Sequence, residues 1–252
     1  MTFFAARGLG MSFGGNKVVD GVTFEIGERE IFSLIGPNGA GKTTIFNLIS
    51  RIYTPTEGSL VFRDQDITAL RPHRIARLGI ARTFQNIELF ENATLLRNLL
   101  VGRHVHTDTS LFADGVFTAR VRRAELEHRD KVEEVIDFLD LQRYRDKPIR
   151  DLPYGVRKIA EIARALCMEP SLILLDEPSS GLNPEETEDL AFWIHDIRNL
   201  RGITVLLVEH DMRLVSDVSD RVLAINTGRM LALGKPSEVL NHPEVVRAYL
   251  GS

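Results

Sequence analysis

Gly36-Pro37-Asn38-Gly39-Ala40-Gly41-Lys42-Thr43-Thr44 matches the pattern G-x-x-x-x-G-K-[ST]. The match lies between an apolar run, Ile31 to Ile35, and an amphipathic one, Ile45 to Ile52. Strand, glycine-rich turn and helix start are the context in which this pattern forms a phosphate-binding loop. Its glycines let the backbone curl until several N–H groups converge on one anion, and the following helix adds the positive end of its dipole. Lys42 is then placed to reach the β- and γ-phosphates of a nucleoside triphosphate, and the Thr43 hydroxyl to ligate Mg²⁺. A glycine-rich turn capped by Thr43 is the structural alternative, but it leaves the agreement of every fixed position unexplained.

A second chemical pair, Asp176-Glu177, closes the apolar run Leu172 to Leu175. Beside a phosphate loop, Asp176 suits Mg²⁺, directly or through water. Glu177 suits a general base that polarises the attacking water, a role typically worth ~10²–10⁴-fold in rate. Alone, the pair fits a solvated turn equally well, with Pro178 and Ser179 following; the phosphate loop upstream decides for chemistry.

The elements that must hold these residues follow from periodicity. Before the loop, alternating segments (Phe3 to Leu9, Val18 to Ile26, Ile31 to Ile35) broken at Gly14-Gly15-Asn16, Gly21 and Gly27-Glu28 read as antiparallel strands and hairpins. Phe13, beside a glycine turn, reads in isolation as a core residue. A strand at Ser59 to Phe62, a helix at Pro72 to Leu78 and a strand from Ile80 to Gln85 come next. From about Asn92 to Asp146 helical periodicity takes over, with Val132, Val135, Ile136 and Leu139 on one face, which predicts a helical lobe inserted into an α/β core. Leu172 to Asp176 and Thr204 to Val208 are too uniformly apolar for half-exposed strands and predict the interior of a parallel sheet. Between them, Asn183 and Pro184 open a helix running to Leu200. Val222 to Asn226 and Met230 to Leu233 form a hairpin around Thr227-Gly228, and the tail from Pro236 to Leu250 is helical.

The 252 residues suffice for one large α/β domain with an inserted lobe. A net charge of −4 offers no general attraction to nucleic acid or anionic lipid. Arg120, Arg122 and Arg123 are followed at once by Glu125 and Glu127, the pattern of a solvated helix face. The single cysteine, Cys167, excludes an internal disulfide and reads as a buried residue in a reducing compartment. No secretory signal and no membrane-spanning run is read in the chain, so membrane work falls to partners.

The order of these motifs is recognisable. The phosphate loop, Gln85 after a short strand, the Leu152-Pro153-Tyr154-Gly155 turn opening a helix, Leu172 to Glu177, Ser180-Gly181-Leu182-Asn183, and His210 after the next strand together resemble the ATP-binding subunit of an ABC transporter over nearly the whole chain. The resemblance implies a phosphate-loop ABC ATPase of the α/β class. Its core has a mostly parallel sheet with an N-terminal antiparallel β subdomain at 1–91 and 160–252, and its α-helical subdomain is inserted at 92–159. It implies ATP and Mg²⁺ as cofactors, with Thr43, Gln85 and Asp176 toward the metal and Glu177, His210 and Lys42 in hydrolysis. Gln85 communicates with the membrane subunit, His210 holds the γ-phosphate, Asn183 belongs to a loop that crosses a dimer, and Phe13 becomes the adenine-stacking residue, reversing its reading in isolation. The signature turn of the family reads Leu-Ser-Gly-Gly-Gln; here Pro153 removes the serine hydroxyl and Val156 replaces the glutamine. What survives is a helix N-terminus with the Gly155 amide, directed at a partner's nucleotide.

Shorter matches refine the resemblance. Ala81-Arg82-Thr83-Phe84-Gln85-Asn86, an extra helical segment around 103–127, the tyrosine of the signature turn and the ending Val246-Arg247-Ala248-Tyr249-Leu250-Gly251 are similar to the larger ATPase subunit of branched-chain amino-acid uptake systems. Urea-type uptake ATPases and a lipopolysaccharide-export ATPase share much of this pattern. The implied partners are a second cassette, in a homodimer or heterodimer, transmembrane permease subunits and, through them, a periplasmic or extracellular solute-binding protein. No nucleic acid is among them. The implied location is cytoplasmic, peripheral on the inner face of the cell membrane. Phe84, Ile87, Leu89 and Phe90 form the expected docking surface for a permease helix. A non-transport ABC protein of the ribosome would carry two cassettes and a basic linker, a DNA-maintenance ATPase a long coiled coil, and a small-molecule kinase would leave Gln85, Gly155 and His210 unexplained.

Overall fold

The computed structural model describes residues 2–106 and 119–250. Positions 107–118 of the expected extra helical segment, the Arg120 side chain and Gly251 lie outside the described residues; Arg122 and Arg123 are exposed, as a solvated face requires. The chain divides into two compact units, Met1–Gln85 with Ser171–Ser252, and Asn86–Pro170.

The first unit opens with a hairpin, β1 (Thr2–Phe13) and β2 (Asn16–Gly27). Gly21 does not break β2 as expected: Leu9 pairs with Val22 and Met11 with Val19, so the extra residue is absorbed as a bulge at a φ of 66°. After β3 (Ile31–Ile35) and α1 (Lys42–Ile49), β4 (Glu57–Phe62) pairs with β1 and with β5 (Gln65–Asp66), giving an antiparallel sheet in the order β2-β1-β4-β5. The first helix starts three residues earlier than its apolar run and stops before Ile52, because Arg51 turns into the left-handed region at φ 61°.

Then follow α2 (Pro72–Arg77) and β6 (Ile80–Arg82), and, beyond the second unit, β7 (Leu172–Asp176), α6 (Pro184–Asn199), β8 (Thr204–Val208), α7 (Met212–Val218), β9 (Arg221–Asn226), β10 (Arg229–Gly234), α8 (Pro236–Leu240) and α9 (Pro243–Leu250). The predicted single C-terminal helix is two, with Pro243 opening the second. The second sheet runs β10-β9-β3-β8-β7-β6, parallel except for β10. Every residue of β3, β7 and β8 is buried, which is why these strands lack alternation. Phe24 of β2 stacks on Phe32 of β3 at 5.4 Å and joins the two sheets through one core that also takes Ile45, Phe46, Leu174 and Leu206. The chain therefore delivers Gly36, Thr83 to Gln85, Glu177 and Glu209-His210 to the carboxyl ends of neighbouring parallel strands, the edge where open α/β sheets bind ligands.

The second unit contains α3 (Leu95–Gly102), α4 (Ala119–Phe138) and α5 (Tyr154–Leu166). Val132, Val135, Ile136 and Leu139 are all buried, as the periodicity predicts. This unit reaches beyond the expected 92–159 on both sides. At its start, the buried Glu161 and the half-buried Arg164 on α5 hold the Glu88 backbone, and the buried Asn98 on α3 bonds both the N–H and the C=O of Phe90. At its end, α5 continues past residue 159 as one helix.

Candidate nucleotide-binding site

The phosphate loop is built by close backbone approach. A Cβ on Gly36 would lie 2.3 Å from the Ile225 carbonyl oxygen, so no other residue fits after β3. The β9–β10 turn closes on the loop, with the Gly228 N–H donating to the Ala40 C=O at 2.9 Å. Gly41, at φ 102°, caps α1 without a side-chain bond, leaving first-turn N–H groups directed along the helix axis. Asn38, Gly39 and Thr43 are exposed, Pro37 and Thr44 half-buried and Ala40 buried. The buried Lys42 crosses the loop it follows, and its Nζ donates to the Gly36 C=O at 2.6 Å and the Pro37 C=O at 3.1 Å. Burial pushes its amine below the ordinary lysine range, against the pull of Glu177 and Asp176.

Facing the loop in sequence order, but far along the chain, are the residues of the neighbouring strand ends. Gln85 Nε2 donates to Glu177 Oε2 at 2.7 Å, and His210 Nδ1 stands 4.0 Å from the same oxygen. Glu177 holds a φ of 47°, a left-handed conformation costing a non-glycine residue about 1–2 kcal/mol. It persists because the Glu177 N–H is locked to the Val208 C=O at 2.9 Å. Backbone strain of this kind collects at functional positions. Asp176 is buried and paired with Arg82 at 2.8 Å; burial raises its carboxyl above the usual range while Arg82 opposes the rise.

The structure thus brings Gln85, Glu177 and His210 together. Phe13 is 42% exposed and meets Tyr53 edge-on at 5.3 Å, so it is a surface ring and not the core residue its isolated context suggests. Asn183 caps α6 through a reciprocal box with Glu186, at 2.9 and 3.0 Å. In the second unit Gly155 is the buried second residue of α5, whose N-terminus at Pro153 carries no side-chain cap. Leu89 is buried and leaves the expected docking set, whereas Phe84 and Phe90 are exposed.

Two residues that carry the site escape a reading of motifs. Glu209, fully buried, accepts from the N–H groups of Ser179, His210 and Asp211 and so ties the turn after β7 to the turn after β8. Its signal is a carboxylate directly after the four apolar residues Val205 to Val208. Arg82, whose guanidinium joins Asp176 to Asn47, is the other.

A phosphate loop at one strand end with a carboxylate, an amide and an imidazole at the next ends defines a nucleoside-triphosphate hydrolase of the cassette type. The sequence profile described as ABC transporter matches residues 19–180, and the chain belongs to that family. A shorter profile, described as branched-chain amino acid ATP-binding cassette transporter, matches residues 229–252. The chain is 44% identical to the high-affinity branched-chain amino acid transport ATP-binding protein LivG of Salmonella typhimurium, across 98% of this chain and 97% of that one. It is 42% identical to the corresponding protein BraF of Pseudomonas aeruginosa, across 97% and 96%. Among solved structures it is similar to MJ1267, an ATP-binding cassette of an ABC transporter in its ADP conformation, with a TM-score of 0.88, 30% identity and full coverage of both chains. It is a nucleotide-binding transport ATPase with the α/β cassette fold expected of it.

Proposed function

We propose that this chain hydrolyses Mg²⁺-ATP to power import of branched-chain amino acids through membrane permease subunits. The convergence of Gln85 and His210 on Glu177 carries the hydrolytic part of the reading, because a carboxylate held by an amide donor and flanked by an imidazole is equipped to orient water at a γ-phosphate. The solute class rests on similarity: relatives at 42–44% identity are named for branched-chain amino acid transport, while the lipopolysaccharide-export relative from Haemophilus influenzae stands at 34%.

The residues suit the magnesium ion. Thr43, Asp176 and Gln85 offer oxygens only, the donor set of a hard cation. A magnesium ion there would take the rest of its oxygens from substrate phosphates and water. Bound there, Mg²⁺ neutralises charge on the phosphates. Lys42 exchanges its loop carbonyls for phosphate oxygens, the loop N–H groups hold the β-phosphate, Phe13 stacks on the base, and Glu177 takes the proton of the attacking water.

Two cassettes share each nucleotide in this reading, the phosphate loop of one meeting the Gly155 turn of the other, with Asn183 at the crossing. Glu177→Gln keeps the shape and removes the base. The expected result is ATPase activity lowered by about 10²–10⁴-fold, with an ATP-dependent dimer stable on size-exclusion chromatography. A variant that stays monomeric and hydrolyses normally overturns the mechanism. For the solute, ATPase activity of the chain assembled with its permeases should rise with a binding protein loaded with leucine, isoleucine or valine; stimulation by a urea-loaded protein instead reassigns it. No described helix is long and apolar enough to cross a membrane, so membrane attachment in this reading runs through the permease at the inner face.

A further inference from the structure

Arg82 is the last residue of β6, and its guanidinium is almost wholly buried at the end of the sheet. Nη2 donates to Asp176 Oδ2 at 2.8 Å. On the opposite side, Nη1 donates to Asn47 Oδ1 at 2.7 Å, in the last turn of α1, and to Ser50 Oγ at 2.9 Å, its C-cap residue. Two rings bracket the group: buried Phe46 of α1 and exposed Phe84, each 5.5 Å from the guanidinium carbon. The remaining donor, Nε, is buried without an acceptor. A purely structural arginine in a well-packed core is expected to satisfy every donor, because an unsatisfied buried donor loses its hydration with nothing in exchange. The geometry is better explained by what the fork connects. It ties the carboxylate at the end of β7 to the helix whose first turn carries Lys42 and Thr43.

We propose that Arg82 is a positioning residue for the metal side of the nucleotide site: it fixes the Asp176 carboxylate relative to α1, so that Asp176 and Thr43 meet one cation together. The inference rests on the Mg²⁺-nucleotide reading above. Thr83, the next residue, adds one contact to Asp176 and one to Leu174 of the same strand. The Asp176 N–H donates to Thr83 Oγ1 at 3.3 Å, and the Thr83 N–H to the Leu174 C=O at 2.9 Å, so the end of β6 and the residue after it supply both the backbone register and the charged clamp. Because the clamp is a planar fork with acceptors on two sides and rings on its faces, a lysine keeps its charge but not its second arm and replaces it only in part. The rings also set Phe84, the residue before Gln85, directly on the clamp.

The experiment separates metal-dependent from metal-independent nucleotide binding in the full-length chain. A fluorescent ATP analogue is titrated in excess EDTA and again with Mg²⁺, for wild type, Arg82→Gln, Arg82→Lys and Asn47→Ala, each checked for its fold by circular dichroism. The wild-type protein should bind more tightly with Mg²⁺. In Arg82→Gln the affinity in EDTA should stay within about twofold of wild type while the Mg²⁺-dependent gain falls by about 10–100-fold, the range seen when a residue that orients a metal ligand is lost. Arg82→Lys should recover part of the gain, and Asn47→Ala, which leaves the Arg82–Asp176 pair in place but removes its anchor, should show a smaller loss of the same kind. Equal losses in EDTA and in Mg²⁺ mean a merely structural role and overturn the proposal, as does an undiminished Mg²⁺ gain in Arg82→Gln. Wild-type binding without any Mg²⁺ gain overturns the nucleotide reading itself.

Discussion

At the scale of single residues, this chain keeps its reactive groups in conformations and environments that an ordinary residue would leave. Glu177 sits at φ 47° with its side chain largely buried, held by Gln85 and by the register of β7 on β8. The strain makes its carboxylate point where a relaxed strand end would not. Tyr249 shows the same use of burial at the other end of the chain. Its hydroxyl is buried against the backbone of Gly36, and burial pushes the phenol up to about 12. The sign follows directly: a raised phenol favours the neutral form in the fold, so its contribution to stability is complete below about pH 10 and is lost as pH rises toward 12. An absorbance titration should therefore contain a phenolic step near 12 that Tyr249→Phe removes. Persistence of that step in the variant would show that another tyrosine carries it.

At the scale of elements, the phosphate loop is braced by a hairpin from nearly two hundred residues further along the chain. Gly228, at φ 77° in the β9–β10 turn, donates to the Ala40 C=O and accepts from the Asp20 N–H at 2.9 Å each. A Cβ there would lie 2.3 Å from the Val18 carbonyl oxygen, so the turn and β2 have no room to give. Gly228→Ala should thus lower stability by about 1–3 kcal/mol through backbone strain and weaken nucleotide binding, read by chemical denaturation and by ATP-analogue titration. Wild-type affinity in that variant would mean the loop holds its shape without the turn. The same scale explains where elements were readable. Asn183, Pro184 and Glu186 announce α6 locally, because a cap is a contact between residues three apart. The bulge at Gly21 and the split between α8 and α9 were not legible as such, since a glycine reads alike as a turn or a bulge until its partner strand is known.

At the scale of the whole molecule, the proposed permease contact falls on the exposed Phe90. Buried Asn98 bonds the Phe90 N–H at 2.7 Å and its C=O at 3.1 Å, so the backbone is pinned from within while the ring stays 62% exposed. We expect Phe90→Asp to abolish co-purification with the permease subunits and to leave ATP-analogue binding unchanged; an intact complex would remove Phe90 from the docking surface. Leu89 does not share that role, because it is buried, and neighbours in an apolar cluster cannot be sorted into core and surface by composition.

The sequence by itself determined the family, the parallel core strands and the phosphate loop, because each is written in local pattern: fixed glycines beside a lysine, uniform apolar runs, caps at short range. The tertiary structure alone decided that Gln85 and His210 converge on Glu177, that Glu209 ties two strand ends together, and that Arg82 clamps Asp176 to α1. Those contacts join residues from separate strands, and strand order in a parallel sheet is set by crossover packing of whole elements, which no local spacing records.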